Sequence, residues 1–344
     1  MALYLIIGII LFLTLYCVRI NAGRFSEALA FDKSNTMKGL LALIIVFHHL
    51  VLECNGTSKV LEIFKYLGFP LVSVFFFFSG YGLIKSYYKN GKKLSLKAYA
   101  VKRLTRLLIP YAIVVFSYGL YRFFQNPGSF ALNHFLTDVF LAREIGPFWY
   151  MTVIIFLYTL FGICFRFFNP VAARRIILIS TVAYITVCIL FSVPSQWYSS
   201  VIGFYIGIIY GVNEDIVTDY LNTGYNVKVL LLFVSFAVLF CMRLIISLLV
   251  TDSEFLHGVL RSIIDVLFIA FFVSFCRVIE IKRTALILIG NISYEIYIIH
   301  PVVMYILKNK IHANTWYCLI AFVSSICLAY ILNALNKQIF KMIL

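Results

Sequence analysis

Charge is scarce in this sequence. Only 12% of the 344 residues are Asp, Glu, Lys or Arg, about half the ~25% that a soluble domain keeps for its surface. A chain this poor in charge cannot cover itself with water-compatible side chains. Acids are scarcer than bases, with 14 Asp and Glu against 29 Lys and Arg and a net charge of +15. Also missing are a Gly/Ser linker, a low-complexity tract, a convincing internal repeat and any stretch long enough for a soluble domain. What remains is one membrane domain over residues 1–344, read as a leading helix and loop (1–34) and a helical core (35–344). No CxxC spacing occurs, which argues against both a zinc site and a disulfide framework. Cys17, Cys164, Cys188, Cys241, Cys276, Cys318 and Cys327 lie in or at the ends of apolar runs, and Cys54 alone falls in a loop. They read as small apolar side chains. No metal and no permanently bound cofactor is expected.

What is present is apolar. Hydrophobic residues make up 63% of the chain, and the mean hydropathy is +0.99. A bilayer core of about 30 Å takes roughly 20 apolar residues as a helix, with a range of about 17–25. About eleven stretches qualify: Ala2–Ile20, Met37–Glu53, Leu67–Ile84, Leu107–Phe124, Phe148–Phe165, Ile176–Val193, Tyr198–Val212, Val229–Val250, His257–Cys276, Ala285–Leu307 and Trp316–Leu335. The expected fold is an all-α integral membrane protein, a polytopic helical bundle of about eleven transmembrane helices. Met1–Cys17 has the hydropathy of a signal peptide, but no charged segment precedes it and Arg19 and Arg24 follow it. It is expected to be a retained first helix.

A net charge of +15 suggests nucleic acid until the positions are read. Lys85, Lys89, Lys92, Lys93, Lys97, Lys102, Arg103 and Arg106 fall in one segment with no acid. Lys and Arg concentrate in cytoplasmic loops. Setting Lys85–Arg106 inside also puts inside Arg24, Lys33, Arg166, Arg174, Arg175, Arg277, Lys282, Arg283 and the C-terminal Lys337 and Lys341. The opposite loops keep few bases: Lys59, Lys65, Arg143, Lys308 and Lys310, with Arg122 at a helix end. The expectation is therefore a multi-pass protein of the bacterial cytoplasmic membrane with its N-terminus outside, its C-terminus inside, lipid as its surroundings and no nucleic acid partner. Glu214, Asp215 and Asp219 sit in a loop assigned inside, which acids barely affect.

A charge at a helix centre in hydrocarbon costs about 2.5–3.5 kcal/mol on insertion scales, so polar residues in apolar runs are candidates for function. In Met37–Glu53, His49 follows Lys38 by eleven residues. Eleven steps of about 100° close to within about 20° of three turns, so the two share a face roughly 16 Å apart along the axis. His48 points about 80° away from Lys38. An imidazole can act as a general base near neutral pH; the alternative is a histidine hydrogen-bonded to a neighbouring helix. Arg103 and Arg106 are i,i+3 on one helical face, where paired guanidinium forks suit phosphate, or merely anchor the chain at the headgroups. Ser293, Tyr297 and His300 form a stripe at i, i+4, i+7, with Glu295 off it, suited to a site or to interhelical hydrogen bonds. Ser79-Gly80-Tyr81 supplies small residues for close helix approach, Pro147-Phe148-Trp149-Tyr150 sits at an outer interface, and Arg261 and Asp265 are spaced for an i,i+4 ion pair.

Together these stretches resemble the transmembrane acyltransferase family 3, membrane O-acyltransferases that modify bacterial surface polysaccharides. The family opens with a basic residue, ten intervening residues and a histidine on one helix, as Lys38 and His49 do. It usually has arginine where this chain has Lys38, and often an acid where this chain has Asn35. The likeness extends through the Phe-Phe-Phe-Ser79-Gly80-Tyr81 stretch, the Arg103/Arg106 pair before Pro110, Trp149 at a helix start, and Ser293-Tyr294 with Tyr297 and His300. It implies a ten-helix core, here with one extra leading helix; the C-terminal esterase-like domain that some relatives carry is not expected in this chain. It implies transfer of an acyl group, most often acetyl, from acyl-CoA (acetyl-CoA) as donor substrate to a hydroxyl of a cell-surface or lipid-linked carbohydrate. On this reading His49 is the base or relay, Lys38 orients the thioester or stabilises its oxyanion, and Arg103 and Arg106 bind the acyl-CoA. His48, Ser79, Tyr81, Trp149, Ser293, Tyr297 and His300 support the site. The rival readings are a transporter or flippase of a glycan or lipid-linked sugar, and a structural or sensor subunit of an envelope complex.

Overall fold

In a computed structural model, the chain is described over residues 1–21, 27–54, 58–91, 93–129, 131–140, 148–249, 254–311 and 315–343. Arg24, Lys92, Arg143, Pro147 and Val250, each part of a reading above, lie outside these residues. The order is α1 (Ala2–Cys17), β1 (Val18–Ile20), α2 (Phe31–Glu53), α3 (Lys59–Glu62), α4 (Gly68–Lys89), α5 (Leu96–Tyr99), α6 (Thr105–Gln125), α7 (Leu132–Phe140), α8 (Trp149–Phe167) and α9 (Pro170–Leu190). Then come α10 (Ile202–Val212), α11 (Glu214–Asn222), α12 (Tyr225–Leu249), α13 (Glu254–Cys276), β2 (Ile279–Ile281), α14 (Ala285–Asn291), α15 (Ser293–Lys308) and α16 (Thr315–Ile343).

Among the described residues, 8 helices are long and apolar enough to cross a membrane, or up to 10 if each bent pair counts as one span. The chain is an all-α polytopic membrane protein. Each apolar stretch read from the sequence contains a helix, with three differences. Ala2–Ile20 is not one helix: α1 has 16 residues, and Val18–Ile20 pairs antiparallel with Ile279–Ile281. Four of these six residues, Val18, Ile20, Ile279 and Ile281, are β-branched and suit a strand, and the ribbon ties the leading helix to the segment after α13. Ala285–Leu307 breaks at Ile292, where α14 and α15 meet at 71°. The helix after Tyr198 runs into α11 through an 80° bend.

The α2 helix begins six residues before the expected Met37. Its first turns are polar, yet Lys33, Ser34, Asn35 and Thr36 are buried by protein. Lys33 Nζ donates to the Cys276 carbonyl oxygen at 2.8 Å, placing a cation at the C-terminus of α13 where the helix dipole favours it. Close helix crossings are made where glycine removes the side chain. A Cβ at Gly80 would collide with the Phe204 carbonyl of α10, so the small residues near Ser79 do permit close approach.

We call the end of the bundle carrying Lys85–Arg106 the basic end, and the opposite end the far end. Glu214 belongs to the basic end: it meets Lys85 Nζ at 2.7 Å and accepts a hydrogen bond from the Tyr81 hydroxyl at 3.0 Å. At the far end, Cys54 and Cys318 bring their Sγ atoms to 2.9 Å, a pairing that sequence spacing does not reveal.

Candidate active site

The site is built on α2. Because the helix is continuous from Phe31 to Glu53, Lys38 and His49 stay on one side of it, three turns apart. They do not open into the same space. Lys38 lines a basic-end cavity of about 440 Å³ with Asn35, Ser79, Arg103, Tyr158 and Ser293. His49 lines a far-end cavity of about 460 Å³ with His48, Trp149, Gln196, Ser199 and Arg243. Tyr297 lines both. Its ring is tilted against Tyr150 (centroids 4.7 Å apart) and meets His300 edge to face (5.8 Å), and only 8% of the residue is exposed. This tyrosine is therefore part of the wall between the two cavities.

Around His49 the histidines have distinct partners. The His48 ring lies 4.8 Å from that of His49 and the His300 ring 5.0 Å. His48 Nδ1–H donates to the Phe64 carbonyl at 2.6 Å, and His300 Nδ1–H donates to the Ile296 carbonyl at 2.9 Å. A carbonyl only accepts, so each bond fixes where that ring carries its proton. His300 is fully buried and leaves its Nε2 without a hydrogen bond. His300 lies behind His49 and lines neither cavity. No described residue hydrogen-bonds the His49 ring, which leaves both nitrogens available to a substrate.

At the basic end, Lys38 Nζ sits over the Phe78 ring, 5.2 Å from its centroid, and no described acid pairs with it. Asn35 Nδ2 donates to Asn291 Oδ1 at 3.0 Å, joining the first turns of α2 to the break between α14 and α15. That break aims the N-terminus of α15 at the cavity, since Gly290, Asn291 and Ser293 all line it. The first amides of a helix have no acceptor within the helix and carry the positive end of its dipole. Arg103 also lines an adjoining groove of about 360 Å³ with Asn90, Lys93, Ser95, Tyr99 and Lys102.

The structure separates several residues that sequence spacing placed together. Arg106 is exposed and lines none of these spaces, unlike Arg103. A π-helical turn at Ala100–Leu104 precedes α6, and its wider i→i+5 winding removes the shared face assumed for an i,i+3 pair. Tyr81 also lines none of them; it braces α4 against Glu214. Arg261 and Asp265 do not form the expected ion pair. Arg261 lines the far-end cavity, whereas both Asp265 oxygens are buried without a hydrogen bond. Glu295, off the stripe as expected, accepts from Asn333 and Asn336 on α16. Sequence reading gave Tyr150 only an outer-interface place and missed Tyr158, both hidden among aromatics that make up 17% of the chain. It also missed Arg243, although a single charge within the apolar run Val229–Val250 is a usable signal.

A family model described as an acyltransferase domain, the third of that name, matches residues 31–334. The match starts at the first residue of α2 and leaves α1 outside it. No curated protein and no solved structure matched the chain. The matched region carries α2, the broken α14–α15 pair and both cavities, and the chain belongs to acyltransferase family 3.

Proposed function

We propose that the protein transfers an acetyl group from acetyl-CoA to a hydroxyl of a cell-surface or lipid-linked carbohydrate. The observation that carries this reading is the pair of cavities reaching in from opposite ends to one tyrosine, with His49 on one side and Lys38 and Arg103 on the other. The donor enters at the basic end, taken as cytoplasmic in the bacterial inner membrane, which leaves the N-terminus outside and the C-terminus inside. Arg103, Lys93 and Lys102 supply charge for the CoA phosphates along the groove.

Reach supports the same arrangement. Lys38 and His49 stand roughly 16 Å apart along α2. A pantetheine arm has about thirteen bonds from phosphorus to sulfur, and at ~3.3–3.6 Å per three bonds it extends to roughly 15 Å. A donor held at Arg103 and Lys38 can therefore present its thioester beside Tyr297. The acceptor waits in the far-end cavity, where Ser195, Gln196 and Ser199 offer hydrogen bonds to sugar hydroxyls. The acceptor oxygen attacks the thioester carbonyl carbon while His49 takes its proton. The C–S bond breaks, the thiolate leaves and is protonated, and an ester and CoA result. Lys38 and the N-terminal amides of α15 stabilise charge on the donor side.

The test is mass analysis of surface glycans from cells with and without the protein. The expected result is a one-acetyl increment that requires it and disappears in His49→Ala. Wild-type acetylation in that variant would refute the role of His49. The bent helix pairs favour a second reading, since transporters also build sites from broken helices. Labelled acetyl-CoA separates the two: glycan movement without label transfer supports transport.

A further inference from the structure

The far-end cavity is lined by a buried cation that a neutral sugar does not explain. Its charged lining residues are Glu53, Lys65, Arg243 and Arg261. Glu53 pairs with Lys308, and Lys65 pairs with Glu62 at 3.2 Å. The rim charges Glu53 and Lys65 are thus matched, and Arg243 stands apart by its unused donors. Arg243 is only 7% exposed, and its Nε and Nη1 have no hydrogen-bond partner. Its guanidinium lies over the Phe69 ring, 4.9 Å from the centroid; that contact engages the face of the fork and leaves its N–H edge free. Asp265, on the same helix as Arg261, lines none of the cavity and hydrogen-bonds neither arginine. A desolvated guanidinium with unused donors aimed into a cavity is a receptor for an oxyanion, because its fork matches carboxylate and phosphate oxygens in pairs.

Resting on the acyl-transfer reading, we propose that the acceptor is acid-bearing: a saccharide whose carboxylate or phosphate is held by Arg243, beside which Arg261 also lines the cavity, while its hydroxyl faces His49. The anionic group then acts as the anchor that orients an otherwise repetitive set of hydroxyls. Arg243 stands late in α12 and Arg261 early in α13, so the anchor lies between two helices at the mouth. His49 lies on α2, on another part of the wall.

The test is a binding titration of the full-length protein in phosphatidylcholine nanodiscs, read by tryptophan fluorescence because Trp149 lines the cavity. The probes are glucose, glucuronate and glucose 1-phosphate. At least one charged probe is expected to bind about tenfold or more tighter than glucose, with affinity falling as salt is raised. Arg243→Gln/Arg261→Gln should erase that preference, and Arg243→Lys, which keeps charge but loses the fork, should fall between. Whichever charged probe prevails assigns carboxylate or phosphate. Equal binding of all three probes, or an unchanged preference in the double glutamine variant or in Arg243→Lys with Arg261→Gln, overturns the proposal. So does loss of probe binding in phosphatidylglycerol discs, which would give the site to lipid headgroups. A parallel assay with labelled acetyl-CoA separates the two readings. Selective binding without transfer to any probe or glycan refutes the acyltransferase reaction at this site; transfer with no charge preference refutes only the anionic acceptor.

Discussion

Replacing Tyr297 by alanine removes the ring that divides the cavities of about 440 and 460 Å³. An aromatic-to-alanine change in a close-packed core costs about 3–5 kcal/mol. Here the ring borders both cavities and packs against Tyr150 and His300. Its two aromatic contacts add ~0.5–1.5 kcal/mol each beyond the area buried, so the variant is first checked for a wild-type elution profile in detergent. With the wall gone, water from the far end reaches a thioester that is meant to meet only the acceptor. Acetate release should rise relative to acetyl transfer by about tenfold, equivalent to ~1.4 kcal/mol in barrier difference. The assay follows labelled acetate and labelled glycan from the same acetyl-CoA incubation. Tyr297→Phe keeps the ring and should leave the ratio within about twofold of wild type. An unchanged ratio in Tyr297→Ala, or identical ratios in the two variants, refutes the wall.

Other consequences can be checked separately. His49→Ala should lower transfer by about 10²–10⁴-fold, whereas His48→Ala should act mainly by releasing the Phe64 carbonyl it holds; comparable kcat losses in both would contradict this division. Arg103→Ala should raise the KM for acetyl-CoA while Arg106→Ala stays near wild type, because Arg103 lines the basic-end spaces and Arg106 is exposed. Glu295→Ala should cost about 1–3 kcal/mol by leaving Asn333 and Asn336 without their acceptor, measured as a lower melting temperature in detergent. Mild oxidation with diamide should join Cys54 to Cys318, whose sulfurs lie 2.9 Å apart, giving a crosslinked peptide by non-reducing mass spectrometry that is absent from Cys54→Ser.

Composition and run length determine the membrane class, because a chain with 12% charge and repeated apolar runs near twenty residues has no other solvent. Helical phase likewise puts Lys38 and His49 on one face, since a 3.6-residue period holds along an unbroken helix. The start of α2 was not legible: Asp32 to Thr36 read as a polar loop, and only burial against α14 and the end of α13 explains why they are helical. Phase also misleads where winding changes, as in the π turn that parts Arg103 from Arg106. Nothing local indicates that Lys38 and His49 face different cavities. That depends on Tyr297, brought to the divide by the break at Ile292 and held beside Tyr150 from α8. Nor does any local pattern bring Arg243 and Arg261 to the His49 cavity. Periodicity along one helix fixes which side chains share a face; which space that face opens into depends on helices distant in sequence, and is decided only by their packing.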